Sequence, residues 1–526
     1  MNRYRSLPSL ALWFTLAVML VTIVTHHHWT RDDGPNRGVI HWDIISYYSY
    51  LPATFIHGDV TLGFLDDKEF NNDNKFWPTR LENGNRLILT SMGLSILYSP
   101  FFFMAHGLAP LFNKAPDGFS SIYQLFLVLS SLFYVMMGLL LLRRLLLKYF
   151  TPLTTALTLL LVGLGTNLFF YTVHEGPMSH GYSFALITLF LTLVIKWYSQ
   201  PTYRTSIWIG LVYGMIVLVR PSNIIVGILF LGWGVTGMKL VGQRGGLLLK
   251  QYRHLLLMMV LFIVPWIPQM VYWKVVTGSL LFNSYGPSGS SFYFGSPHIF
   301  DVLFSFRKGW YLYTPVMMVA TAGLYFLGKR HREMVWPITL YLVVEIYLLA
   351  SWWSWWNGGS FGLRSFVDLY GVMALPLAAL VEVALKARKQ IKVATVAFLF
   401  FLLYMNQYQT HQYTKGYIHH TGMTREAYFL NFLSFRPDGK SWHMLSMPDA
   451  ELARLGIYYN YYTGDDHTLL KEMDRAEGLE KVGRELDHNH PKIRKEISRH
   501  ARRTEITYEE ALQMVVERVY EQKSSQ

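Results

Sequence analysis

Apolar residues in this chain are gathered into long unbroken runs, not spaced at the 3.6-residue period of a helix that shows one face to water. The first is "LPSLALWFTLAVMLVTIVTHHH"; further runs occupy 121–142, 152–173, 178–195, 206–219, 223–238, 254–272, 310–327, 334–351, 365–385 and 391–405. A hydrocarbon layer of roughly 30 Å is crossed by about 20 apolar residues of helix. The pattern predicts an all-α polytopic membrane protein with about eleven transmembrane helices. The first run resembles a signal peptide, but no small-residue cleavage site precedes its histidines, so it reads as a retained first span. The runs 206–219 and 223–238 are short and joined by "VRPSN", which suits a broken pair.

One further run, 89–112, breaks the alternation if it crosses the membrane. Read as a juxtamembrane helix lying in the interface, it leaves Arg3, Arg5, "RRLLLK", "KWYSQPTYR", "KLVGQRGGLLLKQYR", "GKRHR" and "KARKQIK" all on one side. The positive-inside rule makes that side the cytoplasm. The N-terminus is then cytoplasmic, and the loops 26–120 and 273–309 face the outside. So does everything beyond an odd number of spans. The expected organisation is a transmembrane domain over 1–405 and an extracytoplasmic, mostly helical tail over 406–526. In that tail "TYEE" at 507–510 has capping-box spacing, and Leu512, Val515, Val516 and Val519 form one apolar face.

Composition agrees: 52% of the 526 residues are hydrophobic and 15% charged. A net charge of +13 would suggest nucleic acid in a soluble chain. Here the excess sits in short loops between apolar runs, which argues for topology and against a nucleic-acid partner. The chain has no cysteine, so disulfides, thiol chemistry and cysteine-type metal sites are excluded.

Polar groups collect on the expected outer face. "HWDIISYYSYLPA" opens the first loop; the tight turn "YTVHEGPMSHGYSF" carries His174 and Glu175; "FSFRKGW" closes the long loop with Arg307 and Lys308; "SWWSWWNGGSFGLRSF" ends in Arg364. An acid early in the first outer loop, a second acid in the next outer turn and a Trp/Gly-rich stretch ending in Arg resemble the GT-C superfamily of polyprenyl-phosphate-sugar-dependent glycosyltransferases. "GGSFGLR", "FRKGWYLYTP" and "HGLAP" are similar to segments that bacterial members carry, and the likeness covers roughly 8–405. It implies a multi-pass enzyme of the inner (plasma) membrane that passes a sugar from a polyprenyl-phosphate donor to an extracytoplasmic glycan, lipid or protein acceptor. Asp43 matches the acid-base position and Glu175 the second acid, and inversion at the anomeric carbon is implied.

The residue chemistry fits those roles. The acceptor hydroxyl must lose a proton, which a surface carboxylate such as Asp43 can take. The departing phosphate needs positive charge, which the bidentate guanidinium of Arg364 can supply. The alternatives set against these roles are a helix N-cap for Asp43 and a snorkelling anchor for Arg364. Tyr47 and Tyr48 are candidates for sugar contact or for an interfacial aromatic belt. Arg220, Arg307 and Lys308 are further phosphate candidates, with a structural pairing as the alternative for Arg220. His41, His174 and His180 could bind substrate. With Asp43, Glu175 and His174 as ligands, a divalent cation such as Mg²⁺ or Mn²⁺ could be held. The "THHH" run at 25–28 reads as a solvated helix end, and "HNH" at 488–490 as a weak metal signal. Two other classes remain open: a lipid-linked oligosaccharide polymerase or ligase, for which the 273–309 loop has room, and a transporter built around Glu345, an acid within an apolar run.

Overall fold

The computed structural model describes residues 6–30, 38–68, 70, 72, 75–286, 289–436, 439–462, 474–489 and 491–525. The chain is a largely helical polytopic membrane protein. Among the described residues seven helices are long and apolar enough to cross a bilayer: Leu7–His26, Ser121–Leu146, Ser179–Ser199, Tyr252–Thr277, Arg332–Ser351, Arg364–Lys386 and Lys389–Thr414. At 1.5 Å per residue they reach about 30 to 39 Å.

Four of the remaining apolar runs are interrupted, each at a definable residue. The run 152–173 stops as the helix Pro152–Leu164 at Gly165 and resumes only as the short turn Phe170–Val173. The run 206–219 ends at Arg220, whose extended backbone (φ −145°, ψ 107°) is what a residue preceding proline prefers. After Pro221 the chain continues as Pro221–Gly232, so these two runs form the broken pair that their length predicts. The run 310–327 divides into Trp310–Tyr313 and Pro315–Arg330. Thus, among the described residues, seven runs and not about eleven make helical stretches of spanning length. The run 89–112 forms Gly93–Leu108, too short to cross unaided.

The chain separates into two compact units. The first contains Met1–Pro287, Tyr313–Ile346 and Arg364–Thr410. Its helices pack through small residues: a Cβ on Gly323 would lie 2.1 Å from the Pro376 carbonyl oxygen, so Pro315–Arg330 and Tyr370–Lys386 touch backbone to backbone. The buried hydroxyls of Thr15, Thr158, Thr172 and Thr188 each donate to the carbonyl four residues back, which satisfies them inside apolar surroundings.

Residues 38–120 form a layer of short helices, Asp43–Tyr48 and Tyr50–Phe55, a hairpin pairing Pro78–Arg80 with Arg86–Ile88, and Gly93–Leu108. Tyr50, Ala53, Leu62, Phe76, Leu87 and Ile88 pack with Tyr272, Trp273 and Val276 at the end of Tyr252–Thr277. Gly93 seats this layer on the helix that ends at Arg220. A Cβ there would sit 2.5 Å from the Val219 nitrogen, and Ser91 donates to the Leu218 carbonyl beside it. At Leu7–His26 the chain leaves the helix through His27 at φ 47°, with Thr25 to His27 exposed.

The second unit is assembled from Ser288–Leu312, Tyr347–Leu363 and His411–Gln526. A single cut at 405 therefore misses two segments that fold with the tail. Helices Arg475–Asn489, Pro491–Thr504 and Tyr508–Ser525 bury Val482, Leu486, Ile493, Ile497, Ala511, Val515, Val516 and Val519, with Leu512 packed alongside. The capping box forms: Glu510 N donates to Thr507 Oγ1 at 3.2 Å, and Thr507 N donates to Glu510 Oε2 at 2.8 Å. Ser446–Pro448 pairs antiparallel with Asn460–Tyr462. His490, and the side chains of His488 and Asn489, lie outside the described residues.

Candidate functional site

The polar constellation of the first unit is built around the start of helix Asp43–Tyr48. Trp42, exposed and at φ 48°, turns the chain into that helix without any side-chain cap. Asp43 is thus the first helical residue, and its carboxylate is used elsewhere: Oδ2 accepts a hydrogen bond from Arg364 Nη2 at 2.7 Å. The Asp43 side chain is 46% exposed and Arg364 18%, so the acid faces solvent while the guanidinium is largely enclosed.

Tyr47 stands one turn beyond Asp43 on the same helix face. It hydrogen-bonds Ser179 and lies within electrostatic reach of Asp43, Arg220 and Arg364, and burial pushes its phenol up. Tyr285 meets the same set, Tyr47, Asp43, Arg220 and Arg364, and its phenol is likewise raised, chiefly by burial. Both stay protonated donors near neutral pH. Arg364 also senses Tyr171 and Glu175, so the half-buried Glu175 belongs to this constellation. His41 is turned to the backbone, with Nδ1 2.9 Å from the Gly38 carbonyl. Burial holds its pKa down, against the opposing pull of Asp43, and so keeps it neutral.

Behind this face lies a buried charge cluster. Asp368, fully buried, accepts from Arg220 Nη1 at 3.1 Å and Asn223 Nδ2 at 2.8 Å, both on Oδ2, while His180 Nδ1 lies 3.2 Å from Oδ1. Arg220 Nη2 donates to Ser365 Oγ at 2.9 Å, which ties the cluster to the turn Arg364–Leu369 that carries Arg364. Arg220 Nη1 is also 3.0 Å from His180 Nδ1. One ring nitrogen cannot both accept from Arg220 and donate to Asp368, so the tautomer decides which bond is made.

Several expectations are corrected by this geometry. Tyr48 is a core residue: it is 1% exposed, donates to the Gly118 carbonyl and packs on Tyr98, Phe102 and Phe119. His180 is buried against Asp368, and Arg220 has the structural pairing. His174 sets its ring against His26 (4.5 Å) and Phe170 (5.2 Å). Lys308 is completely buried and donates Nζ to the carbonyls of Ser360 and His420, so it serves as a clamp in the second unit. Arg307, in the same unit, donates to the Ser446 carbonyl at 2.6 Å. Among the described residues no three His, Asp or Glu side chains converge in a manner able to hold a metal ion, so Asp43, Glu175 and His174 do not furnish a ligand set.

Asp368 and Tyr285 were missed in the sequence. Asp368 had a readable signal, an acid within an apolar run. Tyr285 had none, being one aromatic in a Gly, Ser and Pro-rich loop. Comparison of the chain with family models and with curated proteins finds no match. The arrangement is a solvent-facing carboxylate held by an arginine and flanked by two phenols. Such a group can take up a proton from a hydroxyl and present positive charge to an oxyanion.

Proposed function

We propose that the chain is a membrane glycosyltransferase of GT-C type, moving a sugar from a polyprenyl-phosphate donor to an extracytoplasmic acceptor. The observation that supports the reading is the Asp43–Arg364 pair, a solvent-facing carboxylate and a guanidinium 2.7 Å apart. In this reading the acceptor oxygen attacks the anomeric carbon and its proton passes to a carboxylate oxygen of Asp43. The bond from that carbon to the phosphate oxygen breaks, and the electron pair leaves on the phosphate, where Arg364 meets the charge. The donor phosphate competes with Asp43 for the guanidinium, so donor binding loosens the pair and releases the carboxylate to act as base. Tyr47 and Tyr285 donate hydrogen bonds to the sugar, and Glu175 orients the Arg364 side of the site.

The proposed membrane is the plasma (inner) membrane, crossed about eleven times once the four interrupted runs are counted, with the N-terminus cytoplasmic and the site outside. The test supplies purified protein with a panel of polyprenyl-phosphate sugars and a crude envelope acceptor fraction. Release of free polyprenyl phosphate with one donor supports the reading, and no release from folded protein with any of them refutes it. One observation favours a second reading as a proton-coupled carrier. Glu345 is 1% exposed within the spanning helix Arg332–Ser351, and its Oε2 has no hydrogen-bond partner among the described residues.

A further inference from the structure

The second unit contains a cavity of about 110 Å³, lined by residues that include His298, Asp301, Arg307, Trp355, Trp356 and Tyr458. At roughly 10 to 15 Å³ for one water, it has room for several waters or one small ring. Two indoles form its apolar wall, and the Arg307 guanidinium carbon lies 5.9 Å from each of their rings. Burial lowers Arg307 to about 10, which leaves it charged at neutral pH. His298 stacks on Trp355 with ring centres 5.4 Å apart, and its Nδ1 meets Asp301 Oδ2 at 2.9 Å. The Asp301 side chain remains 38% exposed. Asp449 adds a second, buried carboxylate; its Oδ1 caps the helix Ala450–Arg454, and Arg518 Nε stands 3.5 Å from Oδ2. The Tyr458 hydroxyl is buried in the wall without a hydrogen-bond partner among the described residues, and burial keeps it protonated.

The charges decide the class of ligand. An anion entering this cavity meets Asp301 and Asp449, and a cation meets Arg307, so either pays a like-charge penalty. A neutral ligand rich in hydroxyls uses both kinds of group, donating to the carboxylate and accepting from the guanidinium, while its ring lies on an indole face. A hydroxyl brought to Tyr458 would also satisfy a phenol that is otherwise stranded. We propose that this cavity, framed by Trp355, Trp356, Arg307 and Asp301, is a binding site for one neutral monosaccharide unit of a glycan. The site is made wholly by the second unit, and its binding does not depend on the transferase reading.

The test uses the full chain in a sugar-free detergent, titrated with the methyl glycosides of glucose, mannose, galactose and N-acetylglucosamine, with glucuronic acid and glucosamine as charged comparators. Binding is read by tryptophan fluorescence and calorimetry. At least one neutral glycoside binds saturably, and the charged sugars bind at least tenfold more weakly. Tyr458→Phe removes a hydroxyl that bonds nothing among the described residues, so the fold persists while affinity falls about tenfold. Asp301→Asn lowers it similarly. Saturable binding by no neutral glycoside, preference for a charged sugar, or wild-type affinity in both Tyr458→Phe and Asp301→Asn would each overturn the proposal.

Discussion

Replacing Asp368 removes the anchor of the buried cluster behind Arg364. Its carboxylate receives Arg220 and Asn223 on one oxygen and lies against His180 with the other. Asp368→Leu leaves a guanidinium facing an apolar side chain, and breaking such a buried pair costs about 3–5 kcal/mol. Arg220, 17% exposed, recovers part of its loss from water, which places the expected value near the lower end, about 3 kcal/mol. Asp368→Asn keeps an acceptor for Arg220 and Asn223 and can turn its amide toward His180, so only the charge is lost, at about 1–2 kcal/mol. In the double variant Arg220→Leu, Asp368→Leu the stranded charge is gone, and the summed single costs exceed the double cost by at least about 1 kcal/mol. The assay is reversible unfolding in mixed micelles, followed by the fluorescence of the 16 tryptophans; a chain without cysteine gives thiol dyes nothing to report. Asp368→Leu within about 0.5 kcal/mol of wild type, or strict additivity in the cycle, would show that Asp368 does not anchor the cluster.

Lys308→Met keeps the aliphatic stem but strands the Ser360 carbonyl, while the His420 carbonyl retains the Ser360 N–H at 3.1 Å, and a loss of about 1–3 kcal/mol is expected in the same unfolding assay, against no change if the clamp is idle. His419 Nδ1 accepts from the backbone N–H groups of Thr421 (3.1 Å) and Gly422 (2.8 Å), and burial, then His420 and Lys308, lower its pKa from 6.5 to about 4. The unfolded chain therefore binds the extra proton between those values. Stability falls as pH drops through that window and levels below it, and His419→Asn flattens the slope. A flat wild-type profile between pH 6.5 and 4 would contradict this. Thr507→Ala costs about 1 kcal/mol and speeds hydrogen exchange in the first turn of Tyr508–Ser525, with Glu510→Ala acting in the same direction; unchanged exchange would deny the capping box a role.

The hydrophobic runs were legible because a membrane imposes length, and seven of them became helices of spanning length. Of the four interrupted runs, the pair broken at Arg220–Pro221 was legible from its short segments and the "VRPSN" joint. Hydropathy is blind to the break at Gly165, whose effect is on backbone dihedrals. The capping box and its apolar face were legible because both are local in sequence. Asp43 and Arg364 could be named by residue type and placement, yet their contact joins residues 321 positions apart, which no local pattern encodes. Lys308 shows the opposite failure. The chain displays the charge, but the carbonyls that absorb it come from two distant loops. Tyr48 looked like its neighbour Tyr47, and only the rotation of one short helix sends one ring into the core and the other toward Arg364.

Asp43→Asn and Glu345→Gln, compared in one purified preparation for polyprenyl-phosphate release from the active donor and for proton-coupled uptake in vesicles, separate transferase from carrier. In a transferase Asp43→Asn abolishes release, with donor binding retained, while Glu345→Gln releases at the wild-type rate. Release that survives Asp43→Asn, or uptake that Glu345→Gln abolishes and Asp43→Asn leaves intact, would contradict the transferase reading.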